Sequence, residues 1–182
     1  MLSLAAVVTF VAGGSLAAAQ TPLVLEAKIQ LGDVRGRIDQ MAIDLARRRL
    51  FVAELENDSV AVIDLDARKV VQVVSDVKGP QGLGYLPSTD ALYVANGGDG
   101  SLRIFDGKDL RMLGQIVLGG DADNVRVDPE TDRVFVSYAD GALAIIDATS
   151  RSKIDDIGLT AHPENFQIDR RTNRIYINNP KE

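Results

Sequence analysis

The chain contains no cysteine, no tryptophan and a single histidine, His162, among 182 residues. Without thiols there is no disulfide framework, no thiolate zinc site, no iron–sulfur cluster and no cysteine nucleophile. One histidine excludes a multi-histidine metal centre and leaves one candidate for a histidine-dependent triad. Basic charge is short as well: 20 Lys and Arg stand against 26 Asp and Glu, a net charge of −6. That balance excludes a general nucleic-acid binder, which needs a basic footprint to neutralise phosphates. The hydrolase and metalloprotease signatures G-x-S-x-G and H-E-x-x-H do not occur. The glycine-rich run Gly79–Gly84 lacks the Lys-Ser/Thr and the following helix that a phosphate-binding loop requires.

Charge is missing altogether from Met1 to Leu25. Leu2–Val11 is apolar, Gly13-Gly14-Ser15 interrupts it, and Ala17-Ala18-Ala19 precedes Gln20. Apolar core followed by small residues is the order of a secretory signal cleaved after Ala19, although no Lys or Arg precedes it. A membrane-spanning helix needs about 20 strongly apolar residues, and this interrupted stretch barely reaches that length. Residues 1–19 are therefore expected to be a signal peptide. The mature chain then has no membrane span and works in the periplasm or as a secreted protein.

What the sequence has in abundance is repetition. Arg49-Leu50-Phe51-Val52-Ala53 returns as Ala91-Leu92-Tyr93-Val94-Ala95, Arg133-Val134-Phe135-Val136-Ser137 and Arg174-Ile175-Tyr176-Ile177-Asn178. The aromatic stands at 51, 93, 135 and 176, at intervals of 42, 42 and 41. Val62-Ile63-Asp64, Ile104-Phe105-Asp106 and Ile145-Ile146-Asp147 keep the same period. Within each unit, runs of about five Val, Ile, Phe and Tyr residues lie between Asn, Asp, Gly and Pro turns, which is a strand pattern. The first unit reads as strands over 40–44, 50–54, 60–64 and 69–74, with a turn at Glu56–Ser59. Four strands per 41–42 residues is the period of β-propeller blades. The expectation is an all-β propeller with blades at about 37–78, 79–120, 121–161 and an incomplete 162–182.

Leu92-Tyr93-Val94-Ala95-Asn96 and Val60-Ala61-Val62-Ile63-Asp64 resemble the YVTN-repeat, YncE-like β-propeller family. Pro80-Gln81-Gly82 and His162-Pro163-Glu164 fit the same pattern, and the resemblance runs over nearly all of residues 23–180. It implies seven-bladed rings of about 290 residues at roughly 41 per blade. The chain then corresponds to three and a half blades, either a truncated ring or an arc that pairs with a second arc. Residues 23–31 read as an outer strand that closes the last blade. Half a blade with bare edges also invites association.

Alignment on the period puts Arg37, Gly79, Asp121 and His162 in one column. Asp39, Gln81, Asp123 and Glu164 follow two residues later, then Gln40, Gly82, Asn124 and Asn165. In a propeller these positions ring the mouth of the central channel. Arg37, Asp39, Asp121, Asp123, Asn124, His162 and Glu164 are the candidate ligand-binding residues. Carboxylates with a histidine suit a divalent metal or a polar ligand, with Arg37 pairing an anionic group. His162 with Glu164 or Asp123 also suits acid/base chemistry, as in a lactonase-like hydrolase or lyase. The leading expectation is a non-enzymatic binding or scaffold role, presenting a loop face to a protein or small-molecule ligand. Asp64, Asp106 and Asp147 close the third strands, where a carboxylate caps the following turn.

Overall fold

A computed structural model describes residues 23–139 and 141–179. The signal peptide expected over 1–19 and the last three residues lie outside them. The described residues form fourteen strands: β1 (Ile38–Asp44), β2 (Arg49–Glu54), β3 (Ser59–Asp64), β4 (Lys69–Val74), β5 (Pro80–Leu86), β6 (Ala91–Asn96), β7 (Ser101–Asp106), β8 (Met112–Val117), β9 (Val125–Asp128), β10 (Arg133–Tyr138), β11 (Ala142–Asp147), β12 (Ser152–Gly158), β13 (Asn165–Asp169) and β14 (Arg174–Asn178). They make three four-stranded antiparallel meanders, β1–β4, β5–β8 and β9–β12, and the two-stranded sheet β13–β14. The turn expected at Glu56–Ser59 is a short 3-10 turn, Leu55–Asn57, followed by Asp58 in the left-handed region. Among the described residues no helix is long and apolar enough to cross a membrane.

The sheets stand face to face because neighbouring blades bury the apolar faces that they turn to one another. Phe51, Ala53, Val60 and Val62 of the first blade pack on Leu83, Tyr85, Leu92, Val94 and Phe105 of the second. Tyr93, Ala95, Leu102 and Ile104 on the second blade's other face pack on Val125, Val134, Val136, Ala144 and Ile146 of the third. Burial of this kind yields about 25 cal/mol per Å² of apolar surface, so the interfaces between blades hold the arc together. The turns repeat as faithfully as the strands. Asp64 accepts from the amides of Asp66 and Ala67, Asp106 from those of Lys108 and Asp109, and Asp147 from that of Ser150.

The periodic aromatics of the three full blades hold the same ladder position, Phe51 opposite Val62, Tyr93 opposite Ile104 and Phe135 opposite Ile145. Burial at this position nonetheless falls along the chain. Phe51 and Tyr93 are fully buried, Phe135 is half-buried, and Tyr176 is 55% exposed. Phe135 faces a sheet of only two strands, and no sheet among the described residues stands beyond Tyr176.

Residues 23–31 join no ladder among the described residues. The last blade that such an outer strand would complete is not among the described residues. Instead Ile29 and Leu31 lie against Val52, Ala61 and Ile63 on the first blade's outer flank. That cover is partial, leaving Met41 59%, Ile43 43% and Val73 53% exposed. An apolar sheet face of this size favours association. The chain is expected to self-associate with rising concentration, and the double variant Met41→Lys, Val73→Lys to be more nearly monomeric. Sedimentation at several concentrations checks this; identical profiles for the two proteins contradict it.

Candidate functional site

Antiparallel meanders send the innermost strands β1, β5, β9 and β13 off in the same direction, each started by a loop on one face of the arc. The β2–β3-type turns reach that same face and hold the loops. Asp58 Oδ1 accepts from the Gly79 amide at 2.7 Å, and the Gly97 amide donates to the Gly79 carbonyl at 2.9 Å. One blade further on, the amides of Leu118 and Gly119 both donate to the Gly100 carbonyl. Polar residues at the start of the inner strands are therefore gathered by backbone bonds.

All seven predicted site residues line one cavity of about 510 Å³ there: Arg37, Asp39, Asp121, Asp123, Asn124, His162 and Glu164. Gln40, Gln81 and Asn165 complete its wall. Arg37 Nη2 donates to Asp39 Oδ2 at 3.1 Å, and Gln81 Nε2 to Asp121 Oδ1 at 2.8 Å. The Gln40 amide spans from β1 to the Asn124 side chain beside β9. Asn124 Nδ2 reaches both Asp123 Oδ2 at 2.8 Å and the Glu164 carbonyl at 2.9 Å. Behind this wall the Asn124 amide donates to the buried Ser137 hydroxyl. The Asp123 amide donates to the Ser137 carbonyl, and the Ser137 amide to that of Asn124.

His162 sits at the junction of the third blade and β13. Its Nδ1 is 2.6 Å from the Ala139 carbonyl, a distance at which Nδ1 carries the proton and donates. Nε2 then points to Asp123 Oδ2, 3.7 Å away. Burial first, and then the nearby Asp39 charge, push the Asp123 carboxyl up to about 6, against the opposing pull of His162. Burial by itself depresses His162, but the Ala139 carbonyl and the Asp121 and Asp123 charges outweigh it and leave the imidazole raised.

One residue of this neighbourhood escaped the sequence reading. Arg126, on β9, donates to Gln40 Oε1 at 3.3 Å and Asn165 Oδ1 at 2.8 Å, and lies 5.6 Å from the Phe166 ring centre. Burial lowers its pKa, with Asp123 acting the other way. The signal was a column of Ala42, Gly84, Arg126 and Gln167, in which one unit places an arginine on an inner strand.

Chemically the cavity offers four carboxylates, four carboxamides, one exposed guanidinium and one imidazole. Among the described residues no three His, Asp or Glu form a group that could hold a metal ion. Hydrogen bonding to a polar ligand, or proton transfer between His162 and Asp123, are within reach of these groups.

No protein-family model and no curated protein sequence matches the chain. Solved structures do. Hydrazine synthase of Kuenenia stuttgartiensis aligns with a TM-score of 0.70 at 19% identity, over 81% of this chain and 43% of that one. A chain of the mitotic checkpoint complex gives 0.71 at 12% identity, over 80% and 47%. Sqt1 of Saccharomyces cerevisiae gives 0.60 at 13%, over 65% and 34%. The chain thus spans less than half the length of each. At these identities the likeness concerns fold alone, and together with the blade sheets it makes this protein a β-propeller arc.

Proposed function

We propose that the chain belongs to an exported β-propeller of the YVTN-repeat, YncE-like kind whose mouth binds a small polar ligand or a polar segment of a partner protein. The observation that carries this reading is the convergence of ten polar side chains from four repeat units around one 510 Å³ cavity. Turn residues that served only solubility would have no reason to share a repeat position. A propeller suits binding because its loops vary without disturbing the packing between blades. One structural neighbour comes from the mitotic checkpoint complex, an assembly of proteins, in keeping with a binding role.

The test is a thermal-shift survey of polar small molecules, including amines, amides, sugars and carboxylic acids, with divalent cations alongside. A compound that binds at the mouth raises the midpoint of the native chain and does so much less in Glu164→Ala and Asp39→Ala. Equal shifts in all three proteins, or none across the survey, remove the mouth as a small-ligand site. A second reading, acid/base catalysis, rests on the His162 Nε2–Asp123 pair. It requires turnover that His162→Ala abolishes.

A further inference from the structure

Among the described residues, polar side chains tie the sheet β13–β14 to the third blade. Several of those ties do not titrate between pH 4 and pH 8, among them Arg126 to Asn165, Arg126 over Phe166, and Arg170 to Asp128 at 2.8 Å and to the Val127 carbonyl at 3.2 Å. One does. His162, from the loop before β13, bonds the Ala139 carbonyl in the β10–β11 turn and faces Asp123 in the loop before β9. Asn124 fastens that same Asp123 carboxylate to the Glu164 carbonyl. Two titratable groups thus sit on the seam between the third blade and the half-blade. We propose that Asp123 and His162 form an acid-tightened latch, which closes the mouth over this seam when protons are bound and loosens it when they are lost.

The charges facing the pair set its direction. Asp39 reaches across from β1, Asp121 lies in the loop that carries Asp123, and Glu164 follows His162 on its own loop. Arg126 is the cation beneath, and Arg37 is already paired with Asp39. Anions therefore outnumber cations around the latch. In acid, His162 is charged, and the Asp123 proton removes one anion from the group. In alkali, Asp39, Asp121 and Asp123 face one another as carboxylates beside a neutral imidazole.

Linkage gives both groups the same sign. The Asp123 carboxyl rises from 3.8 to about 6 on folding, so its stabilising proton is present below pH 4 and lost through pH 6. The imidazole rises from 6.5, so its contribution is complete below that value and disappears as pH passes the raised one. The latch is firm in acid and loosens from about pH 6 upward. This device does not depend on any ligand at the mouth.

Hydrogen exchange on the whole chain at pH 5 and pH 8, corrected for intrinsic chemistry, tests it. The amides of Asp123, Asn124, Ser137 and Glu164 are expected to open at least about tenfold more readily at pH 8, while β6 and β7 stay unchanged. Because His162 is the only histidine, its ring-proton resonance reports one titration. Its midpoint should lie above 6.5 and fall in Asp123→Asn. The double variant Asp123→Asn, His162→Gln should lose the pH dependence of exchange. Equal protection at the two pH values, a native midpoint at or below 6.5, or pH dependence that survives the double variant would each overturn the latch. If the variants do not fold, the native titration and exchange decide the matter alone.

Discussion

Gly82→Ala is expected to lower the thermal midpoint by about 6–12 °C and to disorder the mouth. A Cβ at position 82 would stand 1.8 Å from the Asp123 carbonyl oxygen and 2.9 Å from Val125 Cγ2. The first of these is backbone, which cannot rotate aside as a side-chain tip can. The second and third blades must separate along β5 and β9, or the loop carrying Asp123 must shift. Overpacking of this sort costs about 1–3 kcal/mol where neighbours can give. Here the upper end applies, and about 3 kcal/mol translates into the stated midpoint change for a chain of this size. Gly114 supplies the control, since nothing lies within 4 Å of a Cβ there. Gly114→Ala on the outer strand β8 should leave the midpoint unchanged or slightly raised. Calorimetry of the two variants settles the point, and equal midpoints would show that β5 and β9 are not in the close contact described. The same displacement carries Asp123 away from His162, so the histidine midpoint should move toward its ordinary value in Gly82→Ala.

Gly82 also shows what could be read in advance and what could not. Its column, with Gln40, Asn124 and Asn165, was legible as inner-strand polar positions because the repeat fixes register to the residue. So were the strands and the capping aspartates 64, 106 and 147, because alternation and turn chemistry are local. The close approach of β9 to Gly82 was not legible, because it depends on how two sheets tilt together. Nor was the run of left-handed residues that ends the strand turns. Arg48, Asp90, Asp132 and Asn173 all adopt φ near +50° at equivalent places, as do Arg68, Leu110 and Arg151. Glycine would normally mark such positions. Here the capping bonds and flanking ladders impose the conformation on ordinary side chains, so composition gave no warning. The resting place of residues 23–31 was not legible for another reason. Their alternation suits a strand, but a strand needs its partner edge, and the last blade they would close is not among the described residues. Arg126 was overlooked because a lone arginine in an otherwise small or neutral column reads as a surface residue until its partners Gln40 and Asn165 are seen.

On the face of the arc opposite the mouth, Arg47→Met is expected to cost about 3 kcal/mol, more than any surface ion pair would suggest. Arg47 leaves the β1–β2 turn and donates to Asp44 at 2.8 Å, to the Tyr85 hydroxyl at 3.1 Å and to both oxygens of Asp90. It therefore joins the first blade to the second. Asp90 keeps 40% of its side chain exposed, but only 1% of the Asp44 side chain is open to solvent. Removing the guanidinium strands the Asp44 charge among buried groups, and that unpaired charge, rather than the lost contact, dominates the penalty. Asp44→Asn in the same background removes the stranded charge and should recover a good part of the loss, since the carboxamide oxygen can still accept from the backbone amide of residue 47, as Asp44 Oδ1 does at 3.1 Å. The pH profile has a definite sign. The Arg47 hydrogen bond, followed by that of Tyr85, outweighs burial and holds the Asp90 carboxyl below its usual value. Its contribution is present above about pH 4 and fades as the medium becomes more acid. Urea unfolding at pH 7 and pH 3 should therefore show the gap between the native chain and Arg47→Met narrowing in acid by the Asp90 share, and an undiminished gap at pH 3 would show that Asp90 contributes none of it.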